Sequence, residues 1–290
     1  MTNLVELLRI KHWIKNFFVF APIIFAIKLT DIKLFASTFF VFIVFCLTSS
    51  VVYIFNDLFD RKQDRKHPRK KDRPIASGDV STKKAISVVI VLLSIIAIFF
   101  VSDFSLKLLL IILLYFFINV IYTLYAKSLE IVDVFFLSSG FLLRIFAGSF
   151  AIGVFPTNWI LMTVFFISLF LGFSKRKSEL FVLDKKNQNS FRSVLSKYNH
   201  TTIDIFLFIS ATLTMLSYSL YTIDTITIQK LETDYLVYTV PFVLFGIFRY
   251  LFLLFGKMQT LEPVEIVLTD RQLQITILLW LLVVVFVLLI

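Results

Sequence analysis

Cysteine occurs once, at Cys46, histidine three times and glycine seven times in 290 residues. A single thiol excludes an internal disulfide framework and a cysteine metal centre. His12, His67 and His200 are scattered without ligand spacing, which removes the usual zinc arrangements and leaves no imidazole in a catalytic setting. There is no GxxxxGK(S/T) loop and no GxGxxG after a strand, so the common backbone cradles for nucleotide phosphates are missing. Acidic residues are scarce too, 19 against 29 Lys and Arg. What fills the chain instead is apolar: 59% of residues are hydrophobic, 36 are Phe, and the mean hydropathy is +0.90. That composition excludes a soluble globular domain and implies several runs of the ~20 apolar residues that cross a bilayer as helix.

The hydropathy pattern predicts an all-α, polytopic membrane protein, a single domain over 1–290. Nine spans are expected near 13–29, 34–57, 85–101, 106–126, 131–153, 158–174, 203–222, 235–256 and 273–290. The first follows Arg9, Lys11 and Lys15 as a signal peptide would, but no small-residue cleavage site follows it, so it reads as a retained helix. With the N-terminus placed in the cytoplasm, 23 of the 29 Lys and Arg fall on the inner side, which the positive-inside rule favours. The net charge of +10 is thus explained by orientation and anionic lipid and calls for no nucleic acid. Two long inner loops, near 58–84 and 175–202, are where reactive groups are expected to collect, which places the active site at the cytoplasmic face.

The stretch NDLFDRKQD closes the second span. Asp57, Asp60 and Asp64 are spaced i, i+3 and i+7, so at about 100° per residue they share one face if the helix continues past the membrane edge. Asn56 lies in the same row as Asp60 and Asp64. Three like charges in a partly desolvated arc repel one another unless a cation neutralises them. Mg²⁺ suits them, since it takes oxygen ligands from one or two carboxylates together with water and substrate phosphate. The plainer alternative is that the aspartates pair with Arg61, Arg65 and their neighbours on a solvated helix end; their position at the end of a lipid-length run favours function. Arg73, followed by Pro74 and closed by Gly78, sits in an ordered turn-rich segment suited to holding phosphate oxygens.

Other polar residues interrupt apolar runs. Asp133, Gly140, Arg144 and Gly148 line one stripe of the fifth span. Asp133 and Arg144 are three turns apart, ~16 Å, and so each needs a partner elsewhere, structural or substrate. Tyr122 and Lys127 end the fourth span, and Lys15 and Asn16 stand where the first enters the membrane. Lys175, Arg176 and Glu179 end the sixth, where Lys175 and Glu179 at i, i+4 are able to pair on the helix surface.

The run Asn56-Asp57-x-x-Asp60-x-x-x-Asp64 resembles the NDxxDxxxD motif of the UbiA superfamily of intramembrane prenyltransferases. Within it, RIKHWIKNFFVFAP, DRKHPRKKDRPIASG, YTLYAKSLEIVDV, GFLLRIFAG, SKRKSEL and LTDRQLQ look most like the polyprenyl-phosphate phosphoribosyltransferase branch. Ile10 and His12 depart from it, standing where those enzymes commonly carry Pro and Gln. The resemblance implies a helical bundle around a cavity open to cytosol and lipid, and the richness in Phe, Ile and Lys suggests an AT-rich genome, hence a bacterial inner membrane. It implies phosphoribosyl diphosphate as donor, decaprenyl or undecaprenyl phosphate as acceptor, and Mg²⁺ held by Asp57, Asp60 and Asp64. It further implies that Lys127, Arg73, Lys175 and Arg176 hold phosphate oxygens and that Lys15, Asn16, Asn56, Tyr122, Asp133, Arg144 and Glu179 line the substrates. The product would serve cell-envelope glycan synthesis, and a homo-oligomer is compatible with this reading. Aromatic prenyltransferases of the superfamily carry a second acidic motif, DxxxD, where this chain has Lys175-Arg176-Lys177-Ser178-Glu179. Transfer of a prenyl chain to an aromatic acceptor, and non-catalytic transport of a polyprenyl lipid, are the alternatives.

Overall fold

The computed structural model describes residues 2–66, 70–102, 105–184 and 195–289. His67 and the stretches 67–69 and 185–194 of the two inner loops lie outside the described residues. Every regular element among the described residues is helical: α1 (Thr2–Leu8), a 3-10 segment (Ile10–Phe20), α2 (Ala21–Phe25), α3 (Ile32–Asp64), α4 (Pro74–Ser77), α5 (Thr82–Ser102), α6 (Leu106–Leu124), α7 (Val132–Ile152), α8 (Asn158–Asp184), α9 (His200–Ile223), α10 (Thr225–Leu231), α11 (Val240–Phe255), α12 (Pro263–Thr269) and α13 (Arg271–Leu289). Among the described residues eight helical stretches are long and apolar enough to cross a membrane: α3, α5, α6, α7, α8, α9, α13 and Tyr235–Phe255, in which a 3-10 turn (Tyr235–Thr239) runs into α11.

The first expected span is therefore not an uninterrupted α-helix. Its polar side chains are tied down at short intervals: Trp13 Nε1 donates to Ser50 Oγ (3.1 Å), and Asn16 Nδ2 to Ser49 Oγ (3.3 Å). Pro22, which has no N–H to give, opens the α-helical turn that follows. A 3-10 helix rises ~2.0 Å per residue, so Ile10–Phe20 and α2 together still reach across roughly a hydrocarbon core.

Two spans run on where loops were expected. α3 covers 33 residues, about 50 Å against a core of about 30 Å, so its last turns project beyond the apolar slab. Nothing between Asn56 and Asp64 breaks it, since the segment has neither Gly nor Pro. Its start is capped by Asp31, whose Oδ1 accepts from Lys33 N (2.9 Å) and Leu34 N (3.2 Å). α8 likewise continues to Asp184 and carries Lys175, Arg176 and Glu179 on helix rather than loop.

α3 is the central post: 61% of its apolar window is buried, against 22% for α5. Ser49, Ser50, Asp57, Asp60 and Asp64 face inward, whereas Ile90, Phe117, Phe252 and Phe286 face out. This inversion of the soluble pattern suits a chain solvated by lipid outside and polar ligands inside. Close approach on the inner side needs a missing side chain at Gly148 of α7, where a Cβ would collide with the Val19 carbonyl. Gly148→Ala is therefore expected to cost about 1–3 kcal/mol, read as a lower melting temperature in detergent; an unchanged melt would show that the 3-10 segment can give way there.

Candidate functional site

The three aspartates of α3 are buried, with 4–6% of their surface exposed. Each is met by a cation from a different part of the chain. Arg9 Nη2 lies 2.5 Å from Asp57 Oδ1, and Arg73 Nη1 bridges Asp57 Oδ1 (2.9 Å) and Asp64 Oδ2 (2.6 Å). Lys127 Nζ bonds to Asp60 and sits over the Phe59 ring. Among the described residues the local pairing with Arg61 and Arg65 is not seen. Arg61 donates to Thr82 Oγ1 (3.0 Å), tying the start of α5 to α3, and Arg65 to the Ala76 carbonyl (3.0 Å), pinning α4 against α3. That contact places Arg73, whose extended backbone caps α4 just before Pro74, while Gly78 at φ 99 closes it.

Arg9 was read from sequence only as a topogenic charge. It has a left-handed backbone, φ 52, at the break between α1 and the 3-10 segment, a conformation disfavoured for a residue with a Cβ. Its guanidinium lies 5.1 Å from the Tyr53 ring. Burial opposes its charge; Asp57 more than restores it, with help from Tyr53 and Glu262, so its pKa lies above the ordinary value.

The expectation that three carboxylates converge on one point needs correction. Among the described residues no three carboxylate, imidazole or thiolate groups are arranged to hold a metal by themselves. The reason is helical rise: i and i+7 share a face but stand two turns apart, and a basic side chain fills the gap. Two carboxylates do fit a cation, because the single Arg73 Nη1 atom already touches both Asp57 and Asp64. Hard oxygen donors around a bridging positive charge are the donor set of Mg²⁺, which completes its shell with phosphate oxygens and water.

A second network crosses the same end of the bundle. Arg176 is fully buried. Its Nε lies 2.6 Å from Asp133 Oδ2, Nη1 bonds to Glu179, and Nη2 donates to Tyr122 Oη (3.2 Å). Asp133 also accepts from Tyr198 Oη (3.4 Å), which in turn accepts the Ile131 amide (2.5 Å). Lys70 stands 4.0 Å from Glu179. Of the two readings open for Lys175 and Glu179, the mutual surface pair is not the arrangement seen: Glu179 takes Arg176 at i−3, while Lys175 Nζ lies 4.0 Å from Glu262 Oε1. Among the described residues Arg144 pairs with no carboxylate: Nε donates to Asn16 Oδ1 (2.7 Å), Nη1 to the Gly140 carbonyl (2.7 Å) and Nη2 to Tyr115 Oη (3.1 Å), with Phe45, Tyr115 and Phe141 around the guanidinium. As their spacing required, Asp133 and Arg144 each find partners elsewhere. Arg144 thus fixes Asn16, and with it the backbone that carries Lys15. Asn56 Oδ1 accepts from Thr123 Oγ1 (3.2 Å), joining α3 to α6.

Glu262, at the start of α12, escaped the sequence reading. The Lys175 ammonium, against the effect of burial and with Lys15 and His12 assisting, holds its carboxyl down to about 2. Taken together, the α3 carboxylates and the cations of α4, α8 and the chain start make a charged cluster in an apolar bundle, with donors and acceptors suited to a metal-bound diphosphate.

A model of the UbiA prenyltransferase family matches residues 17–261. The decaprenyl-phosphate phosphoribosyltransferase of Mycolicibacterium smegmatis is 31% identical over 293 residues, covering 97% of this chain and 90% of that protein. The protein of the same name from Corynebacterium glutamicum is 30% identical over 288 residues, covering 96% and 84%. A solved UbiA homolog from Archaeoglobus fulgidus, bound to GPP and Mg²⁺, superposes with a TM-score of 0.71 at 17% identity, covering 99% of this chain and all of that one. At that identity the likeness is one of fold.

Proposed function

Because the chain belongs to the UbiA prenyltransferase family of membrane transferases, we propose that it moves a 5-phosphoribosyl group from phosphoribosyl diphosphate to a polyprenyl phosphate, releasing diphosphate. The observation that carries this reading is near-full-length identity of about 30% to proteins named for that reaction. The residues of α8 support it. Lys175 and Arg176 stand where a prenyl-diphosphate user would place a second acidic motif, and a cationic wall suits substrates that each bring a phosphate.

In this mechanism Asp57 and Asp64 would hold Mg²⁺, while Asp60 holds Lys127 in place and contributes charge to the same site. When bound, the metal supplies Lewis-acid stabilisation of the departing diphosphate. Arg73 and Arg9 are released from Asp57 and turn onto phosphate oxygens, joined by Lys127. The C1–oxygen bond to diphosphate breaks and a new C1–oxygen bond forms to the lipid phosphate. That nucleophile is already an oxyanion, so no general base is required, in keeping with a site built of carboxylates and cations. Arg176, Asp133, Tyr122 and Glu179 brace the wall, and Arg144 and Asn16 set Lys15. The bundle acts as a single domain in a bacterial inner membrane, with the N-terminus and the charged cluster on the cytoplasmic side.

The test is a pair of incubations with purified protein. Labelled phosphoribosyl diphosphate with polyprenyl phosphate and Mg²⁺ is expected to put label into the lipid phase, and chelating the metal should reduce this to background. Prenyl diphosphate with 4-hydroxybenzoate is expected to give nothing; a prenylated aromatic product in that arm, with none in the first, would replace this reading with aromatic prenyl transfer.

A further inference from the structure

Beyond the α3 carboxylates, the 3-10 segment and α8 hold donors that the reaction as described leaves underused. Lys15 Nζ makes no hydrogen bond or ion pair with any described residue, although Asn16 beside it is fixed by Arg144. His12 Nδ1 is buried without a hydrogen-bond partner, its ring packed 5.5 Å from Tyr53. Lys175 meets Glu262 at 4.0 Å, within range of attraction but beyond a hydrogen bond. These three groups come from the 3-10 segment and α8, and both of those elements pack against α12, at whose start Glu262 stands.

Glu262 arrives from a third direction. It begins a seven-residue helix linking α11 to α13; its amide donates to Glu265 Oε2 (2.8 Å), and Pro263 follows it. Its carboxylate offers one charge and two oxygens to a wall with two ammonium groups and an imidazole. A phosphate monoester brings nearly two charges and three acceptor oxygens, a closer match to those donors.

We propose that His12, Lys15 and Lys175 form a binding site for a phosphate monoester, and that Glu262 occupies it as an internal placeholder that the substrate's phosphate displaces. Both substrates of the reaction proposed above carry such a group, the donor at its sugar 5-position and the lipid at its head, and this inference deepens that reading. Displacement swings the start of α12 away from α8, so that entry of substrate loosens a segment bridging two spans.

Binding of ribose 5-phosphate and of farnesyl phosphate, measured separately on purified full-length protein without Mg²⁺, tests this without relying on turnover. An internal competitor lowers the fraction of receptive sites, so Glu262→Gln is expected to bind one of the two monoesters about five- to tenfold more tightly. Lys175→Gln is expected to bind that same monoester more weakly. Tightening for ribose 5-phosphate alone assigns the site to the sugar end, and tightening for farnesyl phosphate alone assigns it to the lipid head. No gain for either, or a loss, overturns the proposal. Hydrogen exchange in the unmodified protein gives a second reading that needs no variant to fold: amides of 262–269 are expected to exchange faster once the monoester binds, and unchanged exchange at saturation overturns displacement. A failure of the phosphoribosyl reading appears separately, as absence of label transfer.

Discussion

Asp57→Asn is expected to lower label transfer by roughly 10²–10³-fold, with the chain still reaching the membrane in normal yield. Asparagine keeps the shape and one acceptor oxygen but removes the charge that draws Arg9 at 2.5 Å and Arg73 at 2.9 Å. Of the α3 aspartates, Asp57 takes two of the observed cations and shares Arg73 with Asp64, so its loss weakens both the metal grip and the arginines assigned to the phosphates. Asp60→Asn is expected to be nearly as damaging, through loss of the anchor for Lys127. Titrating Mg²⁺ separates a metal role from a structural one: in Asp57→Asn the metal concentration for half-maximal residual activity should rise, whereas a structural lesion lowers the maximum without moving that midpoint. Near-normal turnover by Asp57→Asn, with no shift in that midpoint, would sink the metal assignment.

The sequence exposed the acidic stripe because its signal is local. Spacing of i, i+3 and i+7 at the end of an apolar run needs only helical geometry to be read, and α3 does continue through Asp64. The partners of those carboxylates are a different matter. Arg9 and Lys127 reach Asp57 and Asp60 across 48 and 67 residues, and no local rule couples them. Glu262 stood unremarked for the same reason, lying 87 residues beyond Lys175. Hydropathy located the membrane segments yet was blind to the 3-10 winding of Ile10–Phe20, since apolarity reports the solvent and not the hydrogen-bond register. The i, i+4 spacing of Lys175 and Glu179 leaves a surface pair and a substrate contact equally open; Glu179 turns to Arg176 at i−3 because that fully buried guanidinium outcompetes a half-buried lysine, desolvation raising the strength of the pairing that excludes water.

Arg176→Met is expected to destabilise the folded protein by about 3–5 kcal/mol, because it leaves Asp133 buried and Glu179 short of its strongest cation. The guanidinium is fully buried and joins three elements, α6 through Tyr122, α7 through Asp133 and α8 itself. Methionine fills much of the volume, so the loss reports charge and not a cavity. Replacing both members, Arg176→Met with Asp133→Leu, is expected to recover a large part of it, since an apolar pair of similar size avoids the uncompensated charge. Melting of the purified protein in detergent measures all three forms. A direct role in gripping substrate phosphate predicts the opposite pattern, in which the single variant melts normally, its KM for the donor rises severalfold and the second substitution restores nothing. The saturation of Arg176 by Asp133, Glu179 and Tyr122 favours bracing: a phosphate would have to strip a buried carboxylate of its cation, and that exchange costs more than turning the outer arginines Arg9 and Arg73, whose side chains keep 15% and 21% of their surface open.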